Sequence, residues 1–290
     1  MRTLTLDGAC DSHIHPAPDC IDRIGNDLEI AKRAYESGMK AIVYKNVFEP
    51  TASRAWHTMQ SYPGIQVLGG VVLDHFVGGL NPSAVEAAIS LGAKFVWLPV
   101  FHALGHERAF GQIGSFGYVD NETNGQTLPA ITILDANGEL SKTVRDIVAL
   151  CKDHNVILST GHITSEETLK LAQYAKKENF SKILVNHPFF KVPSMSLDIV
   201  QELSSLGAYI EFCSTEICPI PGGGDLQNYV KAVERCDTQK LLIASDAGHN
   251  RMGWPDEALR VFAQQIAYSG VPLTTVELML KDNYYRLLEI

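Results

Sequence analysis

Two patterns of hydrophobic and polar residues alternate along the whole chain. Short apolar runs rich in Val, Ile and Leu predict eight β-strands, at residues 9–15, 41–46, 65–73, 94–101, 156–160, 183–186, 209–212 and 241–245. Longer stretches with apolar residues at helical spacing predict helices at residues 26–37, 52–60, 82–91, 141–154, 165–177, 196–206, 225–236, 255–269 and 274–288. Regular alternation of strand and helix is typical of βα units wound around a parallel sheet.

The number of repeats favours one closed architecture. Eight βα units follow one another without a Gly/Ser linker or a change of composition, which indicates a single α/β domain over residues 1–290, a (β/α)8 or TIM barrel. The alternative is an open doubly wound sheet. No GxGxxG motif follows the first strand and no Walker A motif occurs, so neither nucleotide-binding fingerprint supports that alternative.

One connection is much longer than the others. Residues 102–140, after the fourth predicted strand, are rich in Gly, Asn and aromatic residues, and residues 131–138 predict a small hairpin with its turn at 135–138. Long insertions at the carboxyl end of a barrel strand usually cover the active site. We therefore expect a lid-like insertion after strand four.

Composition and charge restrict the classes of partner. The chain has 290 residues, 46% of them hydrophobic, and 24 Lys and Arg against 33 Asp and Glu give a net charge of -9. Because the chain has no basic cluster, nucleic acid and membrane are not expected partners. We expect a small-molecule substrate. A homo-oligomer is compatible with this composition. The first residues lack the apolar region of a signal peptide, and the six cysteines show no disulfide or CxxC spacing, so we expect a cytoplasmic protein with reduced thiols.

The candidate chemistry lies where predicted strands end. His13 and His15 end strand one, His162 follows strand five, His187 follows strand six, and Asp246 follows strand eight. Residues two apart on a strand point to the same side, so both imidazoles of the HxH pair enter the mouth of the barrel together. Catalytic groups of TIM barrels occupy this end, and imidazole and carboxylate ligands suit zinc, manganese, iron or nickel. The sequence therefore predicts a divalent metal site, most simply of zinc, with a position open for water.

These five residues resemble the metal ligands of the amidohydrolase superfamily, and the resemblance spans the whole chain. It implies one or two divalent metals and a metal-activated water that attacks an amide, ester, lactone or amidine carbon. It also implies that the aspartate of strand eight, Asp246, shuttles the proton. Carried onto this chain, His13, His15 and Asp246 hold one metal, while His162 and His187 hold a second metal or, in a one-metal site, assist the first metal and the substrate.

The sequence departs from that family's pattern in one respect. Binuclear members usually bridge their metals with a carboxylated Lys or a Glu from strand four, but residues 94–102 offer no acidic residue at the carboxyl end. Lys45, at the end of strand two, is the candidate replacement, as a carbamate ligand or as an ammonium that binds substrate. Glu211, which ends strand seven, could ligate a metal, orient a histidine or contact substrate. We expect His102 to contact substrate or a developing oxyanion.

The sequence thus predicts a metal-dependent hydrolase of the amidohydrolase type, with metal ligands among His13, His15, Lys45, His162, His187 and Asp246 and with Asp246, Lys45 and His102 in catalytic roles. Its substrate would be an amide, a cyclic amide or a lactone. Two alternatives stay open: a one-metal decarboxylase or deaminase of the same superfamily, and a barrel that binds metal and senses a ligand without catalysis. The presence of the strand-eight base argues against the sensor, which would have no need of it.

Overall fold

The computed structural model describes residues 3–116, 128–218 and 224–290. Its β-strands are β1 (Cys10–Ile14), β2 (Ala41–Tyr44), β3 (Gln66–Leu68), β4 (Gly70–Val72), β5 (Phe95–Trp97), β6 (Ile157–Ser159), β7 (Ile183–Asn186), β8 (Tyr209–Cys213) and β9 (Leu241–Ala244). Its α-helices are α1 (Asp27–Glu36), α2 (Ala52–Ser61), α3 (Pro82–Ser90), α4 (Leu104–Phe110), α5 (Lys142–Asp153), α6 (Ser165–Lys177), α7 (Leu197–Ser205), α8 (Leu226–Arg235), α9 (Pro255–Tyr268), α10 (Leu273–Leu280) and α11 (Asp282–Leu288). The predicted α/β class is confirmed.

All paired strands run parallel, in two sheets with the orders β1-β2-β3 and β4-β5-β6-β7-β8-β9. The predicted third strand, residues 65–73, is divided between the two sheets at Gly69. Thr51 occupies this break: its hydroxyl accepts a hydrogen bond from the Gly70 amide at 2.9 Å and donates one to the Tyr44 carbonyl at 2.7 Å. A Cβ at Gly69 would lie 2.6 Å from the Thr51 carbonyl oxygen, so this close approach requires glycine.

The first and last strands lie beside each other. A parallel bridge joins Ile14 to Ala247, and the amide of His15 donates to the Ala247 carbonyl at 2.9 Å. The buried carboxylate of Asp11 accepts a hydrogen bond from the Ser245 amide at 3.0 Å. These contacts hold the carboxyl ends of β1 and β9 together, and those are the ends that carry the HxH pair and the predicted base.

The helices begin where the sequence provides capping residues. Asn26 and Glu29 form a capping box at α1, Thr164 and Glu167 form another at α6, and Pro82 opens α3 after an asparagine cap. Their apolar faces join the strands in a buried cluster that draws on residues from Leu4 to Leu280. Within the described residues, no helix has the length and apolar character needed to span a membrane.

The insertion contains both expected and unexpected structure. An antiparallel bridge between Leu134 and Leu140 flanks the turn at residues 135–138, which fits the predicted hairpin. The segment also contains α4, which was not predicted and which lies directly after the end of β5. Residues 117–127 of the expected lid lie outside the described residues.

Candidate metal centre and active site

A cavity of about 330 Å³ lies at the carboxyl ends of the strands. A space of this size suits a small molecule. Its walls include all six residues predicted as metal ligands together with apolar and cationic neighbours, namely His13, His15, Ile21, Arg23, Lys45, Val47, Val100, Phe101, Phe116, His162, His187, Phe190, Thr215, Cys218, Asp246, His249, Arg251 and Met252. The sequence-predicted ligands therefore come together in one place, although their predicted roles are not tested by this placement.

His13 is oriented by a fully buried carboxylate. Its Nδ1 lies 2.9 Å from Oε2 of Glu211. The same oxygen accepts a hydrogen bond from the Asn186 amide group at 2.7 Å, and Oε1 of Glu211 accepts one from the Ser12 hydroxyl. Burial opposes ionisation of Glu211, but His13 and these hydrogen bonds outweigh it and lower the pKa of the carboxyl group. Because an ionised carboxylate only accepts, Nδ1 of His13 carries a proton, and Nε2, which lies 3.0 Å from Nζ of Lys45, is the nitrogen that faces the cavity. Of the three roles considered for Glu211, the contacts support the orienting one.

Asp246 stands between the two histidines of the HxH pair. Its Oδ1 lies 3.1 Å from Nε2 of His13 and 3.2 Å from Nε2 of His15. Burial by itself would raise its pKa, but His13 and then His15 hold the pKa of this carboxyl well below its usual range. The backbone of Asp246 is left-handed, with φ of 50°, as is that of His187 with φ of 28°. Non-glycine residues in this region are uncommon and cluster at functional sites.

His162 is fixed by a second histidine from the insertion. The rings of His106 and His162 stack with centroids 5.2 Å apart, and their Nδ1 atoms are 3.0 Å apart. Nε2 of His106 lies 2.8 Å from the carbonyl oxygen of Ser115, which can only accept, so this nitrogen carries the proton of a neutral His106. Nδ1 of His106 then accepts from Nδ1 of His162. That hydrogen bond leaves the lone pair of His162 on Nε2, the nitrogen available to a ligand.

The buried His106 predicts acid instability. Burial lowers its pKa to about 4, whereas the pKa of an unfolded histidine is about 6.5. Between these pH values the unfolded chain binds a proton that the folded chain does not, so the contribution of His106 is fully present above about pH 6.5 and is lost as the pH falls towards 4. We expect the free energy of unfolding to fall through this window, by an amount on the order of 3 kcal/mol for this residue. Urea unfolding midpoints measured across the window test this.

Replacing His106 with phenylalanine distinguishes the titration of His106 from that of the other buried histidines. His106→Phe should flatten the pH dependence by about one proton, because the stacked ring remains but its titration is lost. His57→Phe, at an exposed position on α2, is the matched control and should leave the slope unchanged. If His106→Phe reproduced the wild-type slope, the pKa assigned to His106 would be wrong.

Lys45 is buried in the same cavity. Only 1% of the residue is exposed, and its Nζ lies 3.0 Å from Nε2 of His13 and 5.7 Å from the centroid of the Trp97 ring. Burial lowers the pKa of the amine, although Asp246 and Glu211 act in the opposite direction. Lys45 therefore lines the cavity and does not extend its amine to solvent at the rim.

The residues present fit a divalent metal. Bonds of about 2.0–2.2 Å place neighbouring ligand atoms roughly 2.9–3.5 Å apart, and the 3.1 and 3.2 Å contacts of Asp246 lie in that range. The buried Nδ1 atom of His187 has no hydrogen-bond partner among the described residues, as expected where a ligand completes the set. Burial lowers the pKa of His15 to about 3 and that of His187 to about 4, which keeps both imidazoles neutral and able to coordinate.

His102 occupies a different position from the one expected. It is not among the residues that line the cavity, and its Nδ1 lies 3.5 Å from Oδ1 of Asp74. Both carboxylate oxygens of Asp74 accept backbone amides of residues 100–102, which holds the chain after β5 in place. The His102 ring packs edge-on against His75 and Phe76. The substrate contact assigned to His102 stays a prediction.

Two members of the site were not predicted from the sequence. The sulfur of Cys213 and ligand atoms of His13 and Asp246 all lie within 4.8 Å of one another, so a thiol stands beside a ligand set expected to lack one. The sequence did contain a signal for Cys213, because this residue follows Glu211 by two positions and thus faces the same side of β8. His106 follows the fourth predicted strand, within reach of the same mouth, but its contact with His162 depends on the path of the insertion.

Solved structures share this fold at low sequence identity. An amidohydrolase from Pseudomonas aeruginosa is 12% identical, with a TM-score of 0.62, over 98% of this chain and 96% of that one. A metallopeptidase, dipeptidase AC, is 11% identical, with a TM-score of 0.66 over 98% of each chain. A 2,6-dihydroxybenzoate decarboxylase from Rhizobium is 10% identical, with a TM-score of 0.60, over 98% of this chain and 99% of that one. These likenesses show a shared fold, and at that level the predicted resemblance to the amidohydrolase superfamily is confirmed.

Comparison of sequences leads to a narrower group. A search of curated proteins finds no match to this chain. A family model matches residues 8–211, the greater part of the chain, and it begins just before β1 and ends within β8. The matched residues include the HxH pair, Lys45, His162, His187 and Glu211. The chain belongs to this family, which is described as a family of unknown function, DUF6282.

Proposed function

We propose that this chain is a divalent-metal-dependent hydrolase that opens an amide, cyclic amide or lactone bond of a small molecule. The observation that carries the proposal is the position of Asp246, whose Oδ1 lies 3.1 and 3.2 Å from the Nε2 atoms of His13 and His15. The same cavity is lined by Lys45, His162 and His187. A carboxylate and four imidazoles around one small cavity are suited to metal-assisted hydrolysis.

The scaffold in this proposal is one closed (β/α)8 barrel over residues 1–290. Two features support it: a single residue, Gly69, separates the two sheets, and the bridge between Ile14 and Ala247 brings the first strand to the last. The insertion after β5 serves as a lid. Its support is that Phe116 lines the cavity and that His106 stacks on His162.

Two ion positions are proposed, most simply for zinc, with manganese, iron or nickel as alternatives. His13, His15 and Asp246 would hold the first ion. His162, His187 and Lys45, the last as a carbamate, would hold the second. When bound, the metal would make hydroxide available near neutral pH and polarise the carbonyl that is attacked.

The remaining chemistry belongs to side chains of the cavity. Asp246 lies in the cavity wall beside both histidines of the HxH pair, so its carboxylate can accept a proton from the attacking water and pass it to the leaving group. Glu211 keeps the proton of His13 on Nδ1. His106 does the same for Nδ1 of His162, so the coordinating nitrogen of each ring stays unprotonated.

Metal content per chain is the first test of this assignment. We expect two metal ions per chain in protein purified without added metal or chelator, and about one in Lys45→Ala, because the second position would lose its lysine ligand. Inductively coupled plasma mass spectrometry measures both. Lys40→Ala, an exposed lysine just before the opposite end of β2, is the matched control and should keep the wild-type content. Hydrolysis assays on a panel of lactones and cyclic amides follow.

A one-metal decarboxylase is the second candidate. It is favoured by Lys45, whose Nζ contacts Nε2 of His13 at 3.0 Å and could hold a substrate carboxylate as an ammonium, and by the lack of an acidic residue at the end of β5. One metal per chain, unchanged in Lys45→Ala, would favour this candidate over the hydrolase. Release of carbon dioxide from aromatic acids would then be the activity to measure.

The cellular compartment and the partners are the remaining parts of the proposal. All six cysteines are free, which suits a reducing compartment, and we propose a cytoplasmic location. The partner is a small-molecule substrate, and nucleic acid and membrane are not part of the proposal. A homo-oligomer is compatible with it.

A further inference from the structure

Two arginines line the cavity beside the proposed metal ligands. Arg23 comes from the loop after β1, and Arg251 comes from the loop after β9. The two loops are joined, since an antiparallel bridge pairs Arg23 with His249 and the Ile24 amide donates to the Gly248 carbonyl at 2.7 Å. Because these loops also carry His15 and Asp246, the arginines lie at the same mouth as the proposed reaction centre.

The guanidinium group of Arg23 is held rigidly with one edge unused. Its Nε and Nη2 donate to Oδ2 of Asp19 at 3.0 and 2.8 Å, and the other oxygen of Asp19 accepts the Ile21 amide at 3.0 Å. The side chain of Arg23 is only 7% exposed and that of Asp19 is fully buried. Among the described residues, no acceptor takes a hydrogen bond from Nη1 of Arg23. The edge formed by Nη1 and Nη2 is therefore available for a planar anion.

Charges on the cavity wall favour an anionic ligand. Two arginine side chains, Arg23 and Arg251, lie in the same cavity wall as the carboxylate of Asp246. Arg251 is exposed and forms no ion pair with a described residue, so its charge is not neutralised locally. Apolar side chains form another part of the wall, among them Val47, Val100, Phe101, Phe190 and Met252. A ligand that matches this wall has one anionic group and an apolar body.

We propose that Arg23, assisted by Arg251, is a substrate-binding residue that holds a carboxylate, and that the substrate class is a small carboxylic acid with an apolar body. The end-on edge of a guanidinium binds a carboxylate in a bidentate manner. The apolar body would lie along the valine and phenylalanine wall, with the bond to be cleaved towards Asp246. The assignment of the cleaved bond rests on the proposed function, whereas the binding of a carboxylate at Arg23 does not.

Binding of a matched pair of probes tests this. Benzoate carries the carboxylate and benzamide is its neutral isostere, and ligand-observed NMR titration measures the Kd of each for the purified, metal-containing protein. We expect wild type to bind benzoate more tightly than benzamide. Arg23→Gln should weaken benzoate binding roughly 10- to 100-fold and leave benzamide binding unchanged, because only a charged hydrogen bond is removed. Arg251→Gln should weaken benzoate binding by a smaller factor.

A second variant guards against misfolding, since Arg23→Gln leaves Asp19 without its partner. Arg23→Lys keeps a cation beside Asp19 but loses the planar edge, so it should weaken benzoate binding with unchanged metal content and melting temperature. No benzoate binding by wild type would overturn the proposal, as would equal benzoate binding in wild type and both Arg23 variants. The latter result would place benzoate on the metal alone. If every hydrolysis assay failed but benzoate bound as expected, the proposed reaction would be wrong and the carboxylate subsite would stand.

Discussion

Replacement of Asp246 by asparagine is expected to reduce turnover of lactone or cyclic amide substrates by about 10²–10⁴-fold. Asparagine has nearly the same shape and tolerates the left-handed backbone that this position requires, with φ of 50°, so the fold should be retained. It cannot accept a proton, whereas Asp246 is ionised because its pKa is held well below the usual range. Steady-state kinetics on the substrate panel, with metal content measured on the same samples, gives the result.

The variant also separates catalysis from ligand sensing. Asp153→Asn, at the exposed end of α5, is the matched control and should keep wild-type turnover. Metal loss in Asp246→Asn would be corrected by comparing rates per bound metal ion. Unchanged turnover per metal ion in Asp246→Asn would contradict the role of general base. Metal binding and ligand response without turnover of any substrate by wild type would favour the sensor.

The location of the site could be predicted because it depends on strand topology. Parallel strands bring their carboxyl ends to one edge, so strand-end residues that are far apart in sequence meet there. His13 and His15 share a side because they are two residues apart on β1. Lys45, His162 and Asp246 follow β2, β6 and β9, and they line the same cavity as the HxH pair.

The partners of these residues could not be predicted in the same way. The carboxylate that orients His13 is 198 positions away in sequence, and the histidine that orients His162 is 56 positions away. Glu211 was a candidate because it ends a strand. The choice among its three possible roles required the distance between its carboxylate and Nδ1 of His13. His102 shows the converse. It too follows a strand, but Asp74 accepts the amides of residues 100–102, and the imidazole ring packs beside that carboxylate.

Element boundaries were missed where local sequence is ambiguous. Apart from Gln66, residues 65–73 are apolar or glycine, with Gly69 and Gly70 inside, and the break coincides with the hydroxyl of Thr51, which is close only in space. The predicted helix 274–288 is two helices that meet at Lys281, whose φ of -128° and ψ of -81° are not helical. No glycine or proline marks that position, so pattern and propensity continue across it.

The buried carboxylate of Glu211 couples the proposed metal site to the stability of the fold. Among the described residues, four groups donate to it or lie within hydrogen-bond distance: Ser12 and His13 from β1, Asn186 from β7 and the thiol of Cys213 from β8. A fully buried carboxylate is costly unless it is satisfied, so these contacts are needed for folding as well as for the orientation of His13. Substitutions in this group should therefore change metal affinity and unfolding free energy together.

Replacement of His13 by alanine is expected to abolish metal binding at the first position, since this residue offers the lone pair that faces both Asp246 and the cavity. The variant should also lose roughly 1–3 kcal/mol of stability, because Glu211 loses a hydrogen bond in a buried site. Glu211→Gln keeps the His13 ligand but not the carboxylate that orients it, and its metal affinity should fall only about 10- to 100-fold. Metal titration and urea unfolding of both variants, with His57→Ala on the exposed face of α2 as the control, measure these effects. Full metal content in His13→Ala would refute the ligand assignment, and equal metal affinity in Glu211→Gln and wild type would show that the contact between Glu211 and His13 serves the fold alone.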